Sequence, residues 1–209
     1  PDLGTALIIG LVSVSVLCLQ RISWRSLAKL LVGGVGGAVF MWEYGLKEYQ
    51  KGRLTSFLGG ERDVQGSGWQ AHQSMVAIGS GRWTGQGFMR GTQNQQHFLP
   101  DTHTDFPFPV WAQEQGLVGA VTVLVLFLLL ILWALRVAAL ARDRFGAALA
   151  VGVASLFFWQ LIFNVGMVTR SLPVVGVTLP FFSYGGSSVL TILIGVGLLM
   201  NVSMRKSAY

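Results

Sequence analysis

The sequence predicts an all-α polytopic membrane protein with about five transmembrane helices and one large extracytoplasmic loop, irregular or partly helical. Of its 209 residues, 52% are hydrophobic and only 11% are charged, whereas a soluble domain carries about 25% charged residues. The apolar residues form runs close to the roughly 20 residues that a helix needs to cross a bilayer. With a single cysteine as well, the composition excludes a soluble globule, a disordered tail and a disulfide-rich secreted module.

Five apolar segments supply the predicted transmembrane helices. The second contains Gly33 and Gly37, and this four-residue spacing of small residues favours the close approach of another helix. The third includes the run from Val121 to Trp133, in which Thr122 is the only polar residue. The segments are expected at 3–19, 27–42, 116–135, 146–168 and 187–204.

The basic residues predict the orientation of these helices. The net charge is +6, and Lys and Arg concentrate in the connections after the first and third segments and after the fifth, as cytoplasmic loops do. The stretch from Glu43 to Glu114 has six Lys and Arg against seven Asp and Glu, so it is expected on the outer side. Basic residues scattered in this way indicate topology and not nucleic-acid binding.

Three regions follow from this pattern. Residues 1–42 are expected to form two transmembrane helices, 43–115 the large loop with the catalytic region, and 116–209 three transmembrane helices. The third region includes a stretch near 169–188 that is rich in Gly and Pro. Such a stretch predicts a re-entrant or broken helix, because irregular backbone at membrane depth must be buried in protein or line a cavity.

The large loop has two recognisable parts. Trp42, Leu46 and Tyr49 fall on one helical face, which predicts an amphipathic helix at the membrane surface. Between Gly59 and Gly91 the glycines are dense, which predicts irregular backbone that folds back over the bundle.

Asp105 is the residue in the loop best suited to chemistry. It precedes the apolar run Phe106 to Trp111, which is expected at or below the membrane surface. A carboxylate there costs several kcal/mol unless it is paired or used, so Asp105 is a candidate general base. The alternative is an N-cap for the helix that leads into the third segment. Glu114 is expected to be a structural partner and not a second catalyst.

Two other patterns carry less weight. Residues 79–87 have a glycine-rich sequence but lack the Gly-Lys-Ser/Thr ending of a phosphate loop. His97, Asp101, His103 and Asp105 are residue types that bind metals, yet their spacing matches no established zinc site. Capping and loop hydrogen bonds are the favoured interpretation of this cluster.

A series of short motifs runs in order through nearly the whole chain. They are Pro1-Asp-Leu-Gly-Thr-Ala, Gln73-Ser, Ala77-Ile-Gly-Ser-Gly, Gly91-Thr-Gln, Phe98-Leu-Pro, His103-Thr-Asp-Phe, Glu114-x-Gly116, Asn164-x-Gly-Met, Leu172-Pro-Val-Val-Gly-Val and Pro180-x-x-Ser-Tyr-Gly-Gly-Ser-Ser. Together these motifs resemble the SEDS family (shape, elongation, division and sporulation). The motifs that begin at Gly91 and Leu172 resemble the RodA branch, which serves cell elongation.

The resemblance implies a peptidoglycan glycosyltransferase that polymerises lipid II, the undecaprenyl-pyrophosphate disaccharide peptide. It implies the bacterial cytoplasmic (inner) membrane, with the active site on the outer face, and a ten-helix fold of which this chain resembles the C-terminal half. The partners so implied are a class B penicillin-binding protein transpeptidase and membrane lipids, with no nucleic acid. A divalent cation, Mg or Mn, is the cofactor that the family suggests, without an assigned metal ligand.

The resemblance also assigns candidate site residues. Asp105 matches the family's essential aspartate and is the expected base of an inverting, single-displacement reaction. The leaving pyrophosphate needs nearby cations, for which Arg53, Arg82 and Arg90 are candidates. The other candidate substrate-binding residues are Gln73, Ser80, Thr92, Gln93, His103, Thr104 and Ser183.

The chain departs from the family pattern at several positions. Met75 and Gln86 stand where the family has lysines, and Gln113 replaces the first glutamate of a Glu-Glu pair. The lost lysines weaken the expected pyrophosphate binding, although Arg82 can supply one charge. Two alternative functions stay open at this point: a lipid II flippase, and a non-catalytic scaffold for the transpeptidase.

Overall fold

The computed structural model describes residues 3–19, 24–45, 47, 51–52, 67–88, 90 and 104–205. Within these residues all regular secondary structure is helical, which confirms the predicted fold class. The helices are α1 (Leu3–Cys18), α2 (Trp24–Phe40) with a π-helical turn (Met41–Gly45), α3 (Ser67–Ser80), α4 (Pro107–Ala139), α5 (Arg144–Val168) and α6 (Gly186–Arg205).

Helices α4, α5 and α6 are long and apolar enough to cross a membrane, and α1 is a shorter apolar helix. They lie where the first, third, fourth and fifth apolar segments predict helices, and α2 lies at the second. The predicted surface helix is described only at its start, because Trp42 lies in the π-helical turn while Leu46 and Tyr49 lie outside the described residues.

Helix α5 is the centre of the bundle and packs against α1, α4 and α6. Phe157 of α5 is fully buried, and it shares a core cluster with Ile131 and Ala134 of α4 and Leu199 of α6. Since lipid is as apolar as these side chains, close packing and not transfer out of water holds the helices together. This packing makes α5 a firm support for residues near its end.

Helix α4 is broken near its beginning. Gly116 has φ 69° and ψ −166°, outside the helical region, a conformation that glycine adopts without strain. The chain from Arg82 to Gly87 lies along the break and makes four backbone hydrogen bonds with it. These run from Gln86 N to Gln113 O (3.0 Å), Gly87 N to Glu114 O (3.1 Å), Leu117 N to Arg82 O (2.8 Å) and Val118 N to Trp83 O (3.2 Å). The backbone groups freed by the break are thereby satisfied.

The prediction of irregular backbone was wrong for residues 67–80, which form α3. The glycines of this stretch lie at its two ends, and the ten residues from Trp69 to Ile78 contain none. Ala71, Ser74 and Ala77 recur at helical spacing and are buried. Residues 81–88 and 90, which follow α3, are irregular as predicted. Helix α4 also begins at Pro107, nine residues before the predicted start of the third segment.

Candidate active site

Asp105 lies in the turn that leads into α4. The N-cap of α4 is Phe106, and Pro107 opens the helix, a position that suits proline because its missing N–H would have no helical partner. The alternative role of Asp105 as the N-cap is therefore not what the structure shows. Phe106 and Phe108 are 1% and 4% exposed, so this turn is anchored in the core on both sides of Pro107, while Asp105 itself is half-buried.

The carboxylate of Asp105 lies against Gly176. A Cβ added to Gly176 would be 3.3 Å from Oδ2 of Asp105, which is tighter than ordinary contact. Gly176 also has φ 73°, a left-handed conformation that disfavours residues with a side chain. Glycine at position 176 thus allows the carboxylate to approach the main chain of the connection between α5 and α6.

Asn164 of α5 joins the same two segments. Its side chain is fully buried in α5, and its Nδ2 donates to the carbonyl oxygens of Asp105 (3.0 Å) and Val177 (2.8 Å). Its Oδ1 has no hydrogen-bond donor within the described part of the chain. Sequence reasoning used Asn164 only as part of a motif. A polar residue inside an apolar helix is a signal that could have identified it.

A cavity of about 460 Å³ is lined in part by Gly176, whereas Asp105 is not among the described residues that line it. We call it the polar cavity because hydroxyl and amide side chains from three helices and the α5–α6 connection line it. Gln160 contributes an Oε1 that has no hydrogen-bond donor among the described residues, and Thr178 and Ser188 bond to each other at 3.1 Å. The polar lining residues are Thr5, Gln160, Thr178, Ser187, Ser188 and Thr191. Ile8, Ile9, Leu156 and Val177 form apolar parts of the wall, so the lining suits a ligand that carries both hydroxyl and apolar groups.

A second cavity, of about 430 Å³, lies beside the break in α4. We call it the apolar groove, since Arg82 is the only charged residue among the described residues that line it. Arg82 has φ 50°, and its carbonyl accepts the bond from Leu117 described above, which fixes the main chain there. Trp83 is 72% exposed at the same place. The other lining residues are Ile78, Gly79, Ala112, Gly116, Leu117 and Ala120.

Several predicted site residues belong to structural networks. Ser80 donates to the carbonyl of Ala77 (2.7 Å) and accepts from Nε2 of Gln113 (3.0 Å). Glu114 is 8% exposed beside the break. Oγ of Ser183 accepts from the backbone N–H of Leu179 at 2.7 Å. Such contacts are typical of positions that hold the backbone around a site.

The remaining candidates are scattered. Thr104 adjoins Asp105 and is half-buried, Gln73 is buried in α3, and Arg90 is exposed. Neither Ser80 nor Gln73 lines the two cavities, whereas Arg82 lines the apolar groove. The other predicted residues, Arg53, Thr92, Gln93 and His103, lie outside the described residues.

The donor set at Asp105 does not by itself make a metal site. Among the described residues, no three His, Cys, Asp or Glu side chains come together as metal ligands. His97, Asp101 and His103 lie outside those residues.

Comparison with curated proteins finds close relatives along nearly the whole chain. The peptidoglycan glycosyltransferase MrdB of Escherichia coli (strain K12) is 42% identical over 206 residues, which cover 99% of this chain and 56% of that protein. The peptidoglycan glycosyltransferase RodA of Treponema pallidum (strain Nichols) is 40% identical over 183 residues, covering 88% of this chain and 42% of that protein. The chain spans about half the length of these relatives.

Solved structures agree with the sequence relatives. A chain from a peptidoglycan synthase complex that coordinates polymerization and crosslinking matches with a TM-score of 0.76 and 30% identity, covering 100% of this chain and 57% of that one. The rod shape determining protein RodA of Thermus thermophilus matches with a TM-score of 0.62 and 28% identity, covering 100% and 52%. The sequence model of the cell cycle proteins FtsW, RodA and SpoVE matches residues 1–208. The chain therefore belongs to the FtsW, RodA and SpoVE family, the SEDS proteins that its motifs resemble.

Proposed function

We propose that the protein is a peptidoglycan glycosyltransferase that polymerises lipid II on the outer face of the cytoplasmic membrane, with Asp105 as the general base. The observation that carries the proposal is the position of the Asp105 carboxylate against Gly176, which also lines the polar cavity. The names of the relatives, peptidoglycan glycosyltransferases of the MrdB and RodA type, support the reaction class.

The proposed reaction is one displacement. The 4-hydroxyl of the acceptor GlcNAc ionises only far above neutral pH, so it needs a base within hydrogen-bond reach. Asp105 takes the hydroxyl proton while the oxygen bonds to the anomeric carbon of the donor MurNAc. The bond from that carbon to undecaprenyl pyrophosphate breaks, and the pyrophosphate leaves with the electron pair. The α-linked donor becomes a β-linked product without a covalent enzyme intermediate, as in inverting glycosidases.

The two cavities fit two parts of such substrates. Hydroxyl and amide side chains that line the polar cavity can bind sugar hydroxyls. The apolar groove can hold part of a lipid chain, with Arg82 next to the pyrophosphate. A cation there would stabilise the negative charge that develops on the leaving group.

The wider role follows the same relatives. We propose that the protein serves cell elongation, as its RodA-like motifs suggest, together with a class B penicillin-binding protein. The structural match to a complex that coordinates polymerization and crosslinking supports a partnership with a transpeptidase.

The test is Asp105→Asn in the full-length protein, assayed for lipid II polymerisation in detergent. The variant keeps the volume of the side chain but removes its basicity, so the rate should fall by about 100-fold or more. Polymer formed at close to the wild-type rate would contradict the assignment of the base.

The matched control is Glu114→Gln, a second carboxylate replaced by its amide. Because Glu114 is buried beside the break in α4, the rate should fall by only a few-fold. An equal loss in both variants would indicate a carboxylate pair. Detergent offers no opposing compartment, so a lipid II flippase or a non-catalytic scaffold would form no polymer there.

A further inference from the structure

We infer that Asn164 is a positioning residue for Asp105, which fixes the main chain of the aspartate to the wall of the polar cavity. The inference rests on the proposed function, because it gives Asn164 a part in the same reaction. Asn164 is 0% exposed and lies four residues before the end of α5 at Val168. Burial of an amide within an apolar membrane helix is costly unless the amide makes specific contacts.

The contacts of Asn164 join parts of the chain that are distant in sequence. Nδ2 carries two hydrogens, and the carbonyl oxygens of Asp105 and Val177 accept from it at 3.0 and 2.8 Å. Neither Asp105 nor Val177 belongs to a helix. The amide therefore attaches two irregular segments to a packed helix at a single atom.

This attachment determines where the carboxylate lies. Val177 follows Gly176, and Gly176 is the residue against which Oδ2 of Asp105 rests. With the carbonyls of Asp105 and Val177 both held by Nδ2, the main chain that carries the carboxylate and the cavity wall keep one relative position. A shift of about 1 Å in a catalytic group can lower a rate by about 100-fold. Loss of the amide should therefore act on the chemical step.

A structural role alone would give a different result. Deleting a buried donor destabilises a protein, since the carbonyls it leaves are unsatisfied, but it need not change the turnover of the folded fraction. A control exists five residues earlier in the same helix, where Trp159 of α5 donates to Oγ of Ser15 at 3.0 Å. Ser15→Ala removes that bond between α1 and α5, leaves the Trp159 ring in place and does not touch Asp105.

The experiment compares Asn164→Leu with Ser15→Ala in the full-length protein, and measures kcat and KM for lipid II and the midpoint of thermal unfolding. Leu keeps the branching of Asn at Cγ, with a larger volume and without its donors. We expect kcat to fall by about 10- to 100-fold with KM within about threefold, while Ser15→Ala changes kcat less than about twofold. A kcat for Asn164→Leu within twofold of the Ser15→Ala value would overturn the inference.

Two further variants complete the test. If Asn164→Leu does not fold, Asn164→Asp is judged by the same kcat criterion, because it retains the shape of the side chain. If neither folds, the residue is needed for the fold itself and the inference is wrong. In an Asp105→Asn background, Asn164→Leu should cost little more activity, since its effect passes through Asp105. If Asn164→Leu lowered the activity of Asp105→Asn by the same factor as it lowers that of the wild type, Asn164 would act independently of Asp105 and the inference would be wrong.

The two proposals fail in different ways. Activity retained in Asp105→Asn contradicts the proposed base. Activity lost in Asp105→Asn but retained in Asn164→Leu contradicts only the positioning role.

Discussion

Two irregular segments of this helical protein are stabilised in different ways. The chain from Arg82 to Gly87 is fixed by four backbone hydrogen bonds to the break in α4. The connection from Pro173 to Thr178 has no backbone–backbone hydrogen bond among the described residues, and side chains hold it there, through Asn164 to Val177 and Thr178 to Ser188.

The difference bears on which substitutions each segment tolerates. Backbone pairing does not depend on side chains, so the first segment should accept most substitutions except those that block the approach of the two chains. The second segment depends on its side chains, which are the polar groups above and the buried Val174, Val175 and Val177. The proposed catalytic carboxylate lies against this second segment.

The largest expected effect is that of Gly85→Ala in the first segment. Gly85 has φ 81°, and a Cβ there would overlap the backbone of Glu114 and Gln115. The main chain around Gly85 cannot move away from α4 without breaking the hydrogen bonds that pair the two. We therefore expect destabilisation by about 3 kcal/mol or more, or no folded protein. Thermal unfolding and the yield of monodisperse protein measure this effect.

Gly197→Ala in α6 is the control for Gly85→Ala, because a Cβ at Gly197 meets nothing within 4 Å among the described residues. It should leave stability unchanged or slightly raised, as alanine favours the helix. If Gly85→Ala were equally harmless, the close backbone pairing at the break would be wrong.

Ser183→Ala should have an intermediate effect. It acts further along the connection between α5 and α6. Ser183 is 5% exposed, and its Oγ accepts from the N–H of Leu179. Without it that N–H is buried and unsatisfied, which costs about 1–3 kcal/mol. The midpoint of thermal unfolding should fall accordingly. Ser13→Ala, whose exposed hydroxyl bonds only within α1, should leave the midpoint within error of wild type.

Gln113→Leu should have the smallest effect. Gln113 is fully buried and donates to Ser80, yet its Oε1 has no donor among the described residues. Leu removes one hydrogen bond and one unsatisfied acceptor together, so the changes nearly cancel and stability should move by less than about 1 kcal/mol. The backbone oxygen of Gln113, which pairs with Gln86, is unaffected. A loss above about 2 kcal/mol would show that side chains also hold this segment.

Local sequence signals predicted the elements but not their association. Apolar runs located α1, α4, α5 and α6, because a membrane helix satisfies its own backbone and needs only length and hydropathy. Gly116 in the third segment did not reveal the break, since the break pairs with an irregular segment about 30 residues earlier. Long-range backbone pairing of this kind has no periodicity for a sequence to display.

The candidate site was predicted in part for the same reason. Asp105 is conspicuous beside its apolar run, and the family motifs marked it independently. The approach of its carboxylate to Gly176 and the bond from Asn164 join residues 71 and 59 positions away from it. Ser80 was expected at the substrate but bonds to Gln113, because a short motif specifies residue types and not the direction in which they point.

The break at Gly116 also divides α4 into two portions of different length. An unbroken helix of 33 residues would be about 50 Å long, against a hydrocarbon core of about 30 Å. The portion from Leu117 to Ala139 already reaches about 35 Å, so it fills the core alone. The short portion from Pro107 to Gln115, about 14 Å long, is then not needed to cross the core, and it leads from the turn where Asp105 contacts Asn164 and Gly176.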